Sequence, residues 1–129
     1  MKILITAAAI ALLCPMAHAQ TKSGQQVYSD VCFACHGTKV EKAPQLGDRT
    51  AWAPLIKEGQ PILTAHAWVG VRGMPPRGGR PELELEAFGR AVAYMAREAG
   101  GAWQDPDAAM LAKIRAEEKK RLAQMKAKK

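Results

Sequence analysis

The sequence has little that would span a membrane, stack on bases or build a sheet. Beyond the first nineteen residues no stretch is long and apolar enough to cross a bilayer. Aromatic residues make up only 5% of the chain and are not interleaved with its basic side chains, which argues against a nucleic-acid partner. No run of alternating polar and apolar residues marks a strand, and no segment repeats. What remains is a chain of 129 residues, enough for one modest helical domain. Cysteine is scarce as well, with three in all, so a disulfide framework of several bridges is excluded.

The N-terminus is where the apolar residues gather. Lys2 precedes an apolar stretch from Ile3 to Cys14, and Ala17-His18-Ala19 follows with small residues where signal peptidase needs them. Residues 1–19 are therefore expected to be an export signal, cleaved near Ala19, that delivers the chain to a bacterial periplasm. Pro15 interrupts the run and Leu13 precedes Cys14, which disfavours an uncleaved anchor and a lipid-modified cysteine. Cleavage removes Cys14 and leaves Cys32 and Cys35. In an oxidising compartment these form a disulfide or are consumed by other covalent chemistry.

Charge divides the mature chain in two. The formal charge of +7 falls to +6 without Lys2; of this, +4 lies in residues 105–129 and +2 in residues 20–104. The basic character thus belongs to a C-terminal extension, 105–129, rather than to the core domain, 20–104. The extension is rich in Ala, Lys, Glu and Met and starts at Asp105-Pro106, a good helix opening. Leu111, Ile114, Leu122 and Met125 form a partial apolar stripe that Glu118 and Arg121 interrupt. Such a segment reads first as a solvated or frayed helix. Its functional alternative is a basic arm that docks to an acidic partner or a membrane surface.

The core reads as short helices separated by glycine and proline. Ser23 and Gln26 form a capping box, after which Val27 and Val31 share a face beside Tyr28. A second helix is expected from Ala51 to Glu58, with Thr50 as N-cap, Gly59 as stop and Pro54 near the first turn. A third runs from Pro61 to Gly70. A fourth starts near Pro81, with Glu82, Glu84 and Glu86 at its positive end, Arg97 near the other, and Gly100-Gly101 after it. Leu85, Phe88, Val92 and Met95 recur at helical spacing in that segment and form its inner face. Between the third and fourth, Arg72-Gly73-Met74-Pro75-Pro76-Arg77-Gly78-Gly79 excludes regular structure.

The residues that carry chemistry are Cys32-Phe33-Ala34-Cys35-His36. Two thiols with two residues between them, at the end of a helix, reach the two vinyl groups of one haem and form thioethers. The adjoining histidine then meets the iron with one imidazole nitrogen. Its other nitrogen should donate to a backbone carbonyl, which fixes the tautomer and the basicity. A zinc site needs further thiolate or imidazole ligands, and only His66 remains in the mature chain. A thioredoxin-like pair needs a βαβ context, which is missing. One covalently attached haem c is the expected cofactor.

Met74 is the candidate for the second axial ligand. Met95 fits the inner face of the fourth helix, and Met110 and Met125 belong to the charged extension. Met74 alone sits in a proline-stiffened loop; His66 is the alternative. A histidine–methionine pair favours ferrous haem and leaves no open position for dioxygen or peroxide. A haem would also complete a core that about 85 residues fill poorly on their own. Trp52, Trp68, Leu55, Ile62 and Leu63 are expected around it, and Val27 and Tyr28 against Ala91 and Tyr94. Trp52, Arg77 and Arg80 are candidates to meet its propionates, with plain packing and solvation as the simpler roles.

These pieces resemble the class I cytochromes c, and among them the small bacterial cytochrome c-five group. The resemblance runs from about Gly24 to Met95. It rests on Val27-Tyr28 ahead of Cys32–Gly37, on Ala43-Pro44 with Leu46-Gly47-Asp48, and on Trp52-Ala53-Pro54. Met74-Pro75-Pro76-Arg77-Gly78-Gly79 and Ala91–Met95 complete it. It implies an all-α fold wrapped around one haem, thioethers at Cys32 and Cys35, His36 and Met74 as axial ligands, a backbone carbonyl near Pro44 for the other His36 nitrogen, and a periplasmic electron carrier that is not an enzyme. Redox proteins that donate and accept electrons are then the expected partners. The segment after Gly101 is a departure from that pattern. The rival functions are a peroxidase-like haem enzyme with a labile sixth ligand and a cytochrome subunit docked to a larger complex through its tail.

Overall fold

The computed structural model describes residues 21–40 and 42–128, and the expected export signal lies outside them. The first helix starts where its cap dictates. Ser23 Oγ accepts the Gln26 N–H at 3.2 Å and Gln26 Oε1 accepts the Ser23 N–H at 2.8 Å, opening α1 (Gly24–Val27). The chain then widens into a π-helical turn, Tyr28–Cys32, in which the Phe33 N–H reaches back to the Tyr28 carbonyl. It narrows again into α2 (Phe33–His36). The wide turn changes which residues face inward. An α-helical register aligns Val31 with Val27, but here Val31 is half-exposed and Cys32, only 7% exposed, takes the inner place.

The next helix, α3 (Arg49–Glu58), starts two residues before the expected point. Its cap is Asp48, whose Oδ1 accepts the Ala51 N–H at 3.0 Å, and not Thr50, which lies in the first turn. Pro54 consequently lies inside the helix. It and Thr50 are both exposed, so the Thr50 carbonyl that Pro54 leaves without an amide partner is open to water. After Gly59 comes α4 (Gln60–Val69), with Pro61 in its first turn. Gly70, at φ +98°, ends it in a conformation that favours glycine.

The Met74 loop has more structure than its composition suggests. Val71 and Met74 exchange both backbone hydrogen bonds, at 3.2 and 2.9 Å. Pro76–Gly79 then forms a 3-10 turn in which Arg77 and Gly78 are left-handed, at φ 54° and 64°.

The following helix, α5 (Leu85–Glu98), begins later than Pro81 because a turn intervenes: the Leu83 N–H donates to the Arg80 carbonyl. Glu84 is extended and serves as N-cap, so Glu86 alone of the three glutamates lies in the first turn. Leu85, Phe88, Val92 and Met95 are buried as their spacing requires. α1 crosses this helix closely. A Cβ on Gly24 would sit 2.2 Å from the Arg90 carbonyl oxygen, and the Tyr28 and Tyr94 rings meet at 5.6 Å.

The largest difference from expectation is at the C-terminus. Asp107, rather than Asp105, caps α6 (Ala108–Ala127) by accepting the Met110 N–H at 2.8 Å. The helix is not a solvated arm, because it lies along α4. Ile114 is fully buried, with Met110 and Leu111 packed against the same core. Pro106 covers Gly89 of α5, and the Gln60 amide donates to the Gln104 carbonyl at 2.7 Å. Only residues 122–128 are exposed throughout. The 105–129 segment is therefore continuous with the core over its first half. Among the described residues there is no strand, only the isolated bridge between Val71 and Met74.

Candidate haem site

Cys32 and Cys35 lie one helical turn apart in different surroundings. Cys32 is buried, Cys35 is exposed, and the two are not joined in a disulfide. Burial, with a smaller contribution from Cys35, pushes the Cys32 thiol up to about 11 from 9.0. That thiol is protonated at neutral pH.

His36 closes α2 with 7% of its surface exposed. Its Nδ1 lies 2.8 Å from the Pro44 carbonyl oxygen. A carbonyl can only accept, so Nδ1 carries the proton and Nε2 keeps the free lone pair. The backbone carbonyl expected near Pro44 is thus that of Pro44 itself. The main chain adds a second tie, with the Leu46 N–H donating to the His36 carbonyl at 2.8 Å.

Gln45, between these two contacts, was not singled out by sequence reasoning. Its amide nitrogen donates to the Cys35 carbonyl at 3.0 Å and the Ala43 carbonyl at 2.9 Å. Its amide oxygen accepts the Lys39 N–H at 2.8 Å. One side chain therefore closes the loop after the Cys–His pentapeptide. A glutamine in a loop carries no spacing signal that would have revealed this.

Of the propionate candidates, Trp52 and Arg77 both have partners within the chain. The Trp52 indole is 3% exposed and gives its one N–H to the Gln45 carbonyl at 3.0 Å. That bond braces the loop that carries Pro44, the partner of His36. Arg77 holds its guanidinium 4.5 Å from the centre of the Trp68 ring and donates from Nη1 to the Pro81 carbonyl at 2.6 Å. It retains other N–H groups.

Met74 is half-buried, with its backbone fixed by the exchange with Val71, and its side chain is packed on the core. The loop that carries it leans on the helix that carries the cysteines: a Cβ on Gly78 would lie 3.2 Å from Val31 Cγ1. His66 is elsewhere. It lines a separate cleft of about 510 Å³ with Glu58, Ile62, Val71, Arg72 and Arg121, and its Nδ1 is 3.6 Å from Glu58 Oε2.

The family model described as cytochrome C oxidase, cbb3-type, subunit III matches residues 19–95. A cytochrome c-555 of Chlorobaculum thiosulfatiphilum is 40% identical over 77 residues, which cover 57% of this chain and 90% of that protein. A cytochrome c5 of Azotobacter vinelandii is 41% identical over 76 residues, covering 57% and 92%. Among solved structures, a chain from an electron transfer complex of nitrite reductase with cytochrome c is similar at a TM-score of 0.56. It is 41% identical and covers 59% of this chain and 93% of that one. The family match ends before α6.

Cytochromes c carry covalently bound haem c, and the donor set fits that group. Two thiols outside any disulfide lie at thioether spacing, and the next residue is an imidazole whose outer nitrogen is already satisfied. Half-buried Val31, Leu46, Leu55 and Leu83 supply apolar surface against the core. The chain belongs to the class I cytochromes c, close to cytochrome c5.

Proposed function

We propose that this chain is a periplasmic one-electron carrier in which Cys32 and Cys35 hold haem c and His36 and Met74 are its axial ligands. The observation that carries the reading is the His36 imidazole. It is buried, donates through Nδ1 to the Pro44 carbonyl, and directly follows a cysteine pair free for thioethers. When bound, the haem supplies a ferric–ferrous couple.

The residues around it set how that couple behaves. The Pro44 carbonyl orients the imidazole and raises its basicity. Met74 offers a thioether from a stiff loop, and a soft sulfur ligand favours the ferrous state. Two strong-field ligands leave no place for peroxide, which is why the carrier reading is preferred to a peroxidase-like one. Export rests on Lys2, the apolar run and Ala17-His18-Ala19. Among the described residues no helix is long and apolar enough to cross a membrane.

A protein redox partner is the natural electron source or sink, as in the nitrite reductase complex of the similar cytochrome. Lys126 and Lys128, in the exposed end of the C-terminal segment, suit docking to an acidic partner or membrane surface that weakens with salt. The family model's description and the added α6 favour one second reading, a cytochrome subunit held in a larger complex. Release of the mature protein in soluble, monomeric form on cell fractionation separates the carrier from the subunit.

The ferric absorption spectrum tests the ligands. A weak far-red charge-transfer band from sulfur on iron is expected in the wild type, absent in Met74→Ala and retained in His66→Ala. The protein should titrate reversibly as a one-electron couple. A wild-type spectrum without the band, its retention in Met74→Ala, or rapid peroxide turnover would overturn the reading.

A further inference from the structure

We infer that α6 braces the Met74 loop, acting through Glu118, Trp68 and Arg77 as positioning residues. The inference rests on Met74 as axial ligand. Glu118 Oε1 accepts the Trp68 indole N–H at 2.9 Å, linking α6 to α4. Trp68 is 6% exposed and held edge-on by Phe88, with ring centres 5.3 Å apart. The Arg77 guanidinium lies over the same indole, 4.5 Å from its centre. One ring therefore connects the C-terminal helix to the loop that presents Met74.

The three groups reinforce one another. A carboxylate that accepts the indole N–H pushes electron density into the ring. A richer ring attracts the guanidinium above it more strongly. Arg77 needs such an anchor, because it is a non-glycine residue at φ 54°. Its Nη1 bond to the Pro81 carbonyl, at 2.6 Å, fixes the other side of the turn. With Arg77 held, Pro75 and Pro76 transmit the constraint to Met74, whose own N–H and carbonyl are bonded to Val71. Glu118 lies beyond residues 19–95, so the brace is an addition to the part shared with the family model.

A braced loop should release its thioether slowly. The experiment follows displacement of Met74 from the ferric holoprotein by imidazole, read as decay of the far-red sulfur band. Glu118→Ala and Trp68→Phe should each speed displacement roughly three- to ten-fold, and the double variant should be no faster than either. Glu118→Gln keeps an acceptor without the charge and should fall between Glu118→Ala and wild type. Lys120→Ala, an exposed position on the same helix, should leave the rate unchanged.

Trp68→Phe preserves a ring in the core and keeps the test valid if Glu118→Ala folds poorly. Rates within about two-fold of wild type for both single variants, with α6 still helical by circular dichroism, would overturn the brace alone. Additive effects in the double variant would overturn the coupling through one ring. A wild-type protein without the sulfur band would overturn the ligand assignment and the brace with it.

Discussion

Cys32 and Cys35 share a helical turn yet sit in different surroundings, and that difference should set their reactivity. Cys32 is buried and its thiol is pushed up to about 11, so roughly one molecule in a thousand is thiolate at pH 8. Cys35 is exposed. In the haem-free chain, iodoacetamide at pH 8 should label Cys35 at least about ten-fold faster than Cys32. Raising the pH moves Cys32 toward its thiolate, so its labelling should climb about ten-fold per pH unit until it levels near pH 11. Peptide mass spectrometry across a pH series reads both rates, and equal rates would show that the turn forms only with haem. Gln45 poses a different residue-scale question. Gln45→Ala removes three hydrogen bonds around His36, part of them solvent-exposed, and should lower unfolding stability by about 1–2 kcal/mol. His36 is legible because it adjoins the cysteine pair, whereas its carbonyl partner near Pro44 follows from the family resemblance and not from spacing. Gln45 was not legible, because its partners are set by a loop path that no periodicity encodes.

At the scale of elements, the helices were legible and their ends were not. Thr50 is as good a cap as Asp48 by composition, and the backbone decides between them. Asp48 is extended at ψ 90° and can turn its carboxylate onto the Ala51 N–H. Of the three glutamates expected at the start of α5, Glu82 lies in the Arg80–Leu83 turn and Glu84 is the extended N-cap, so neither is in the first turn. The π turn was invisible for a deeper reason. Its extra residue shifts the inward face by one position, so a rule built on 3.6 residues assigns Val31 the place that Cys32 holds. The crossing of α1 and α5 supplies a test. In an isolated helix, Gly24→Ala should gain about 1 kcal/mol of propensity. Here the added methyl meets the Arg90 carbonyl oxygen at 2.2 Å, and a backbone atom cannot swing aside. A net loss of at least about 2 kcal/mol is expected, seen as a lower denaturant midpoint at unchanged slope. A neutral or stabilised variant would mean that the two helices do not cross at Gly24.

For the whole molecule, α6 decides what counts as the domain. The sequence describes a charged appendix because Glu118 and Arg121 break the apolar stripe. Glu118 does so as the partner of a buried indole, and Ile114 beside it is fully buried. A stripe interrupted by a charge looks solvated in sequence, whereas here the charge answers an N–H that would otherwise be unpaired. Two kinds of variant separate the structural half of this helix from its exposed end. Ile114→Ala should cost about 2–4 kcal/mol through lost burial and a residual cavity. Ending the chain at Gln104 removes that side chain, uncovers Trp68 and strips Pro106 from Gly89. The truncated holoprotein should therefore melt well below wild type and exchange the α4 amides faster, even with its haem attached. Lys126→Gln with Lys128→Gln changes only exposed charge, and should shift stability by less than about 0.5 kcal/mol while weakening any salt-sensitive docking. If truncation left melting and amide protection unchanged, α6 would be an appendage after all, and the haem domain would end near residue 104.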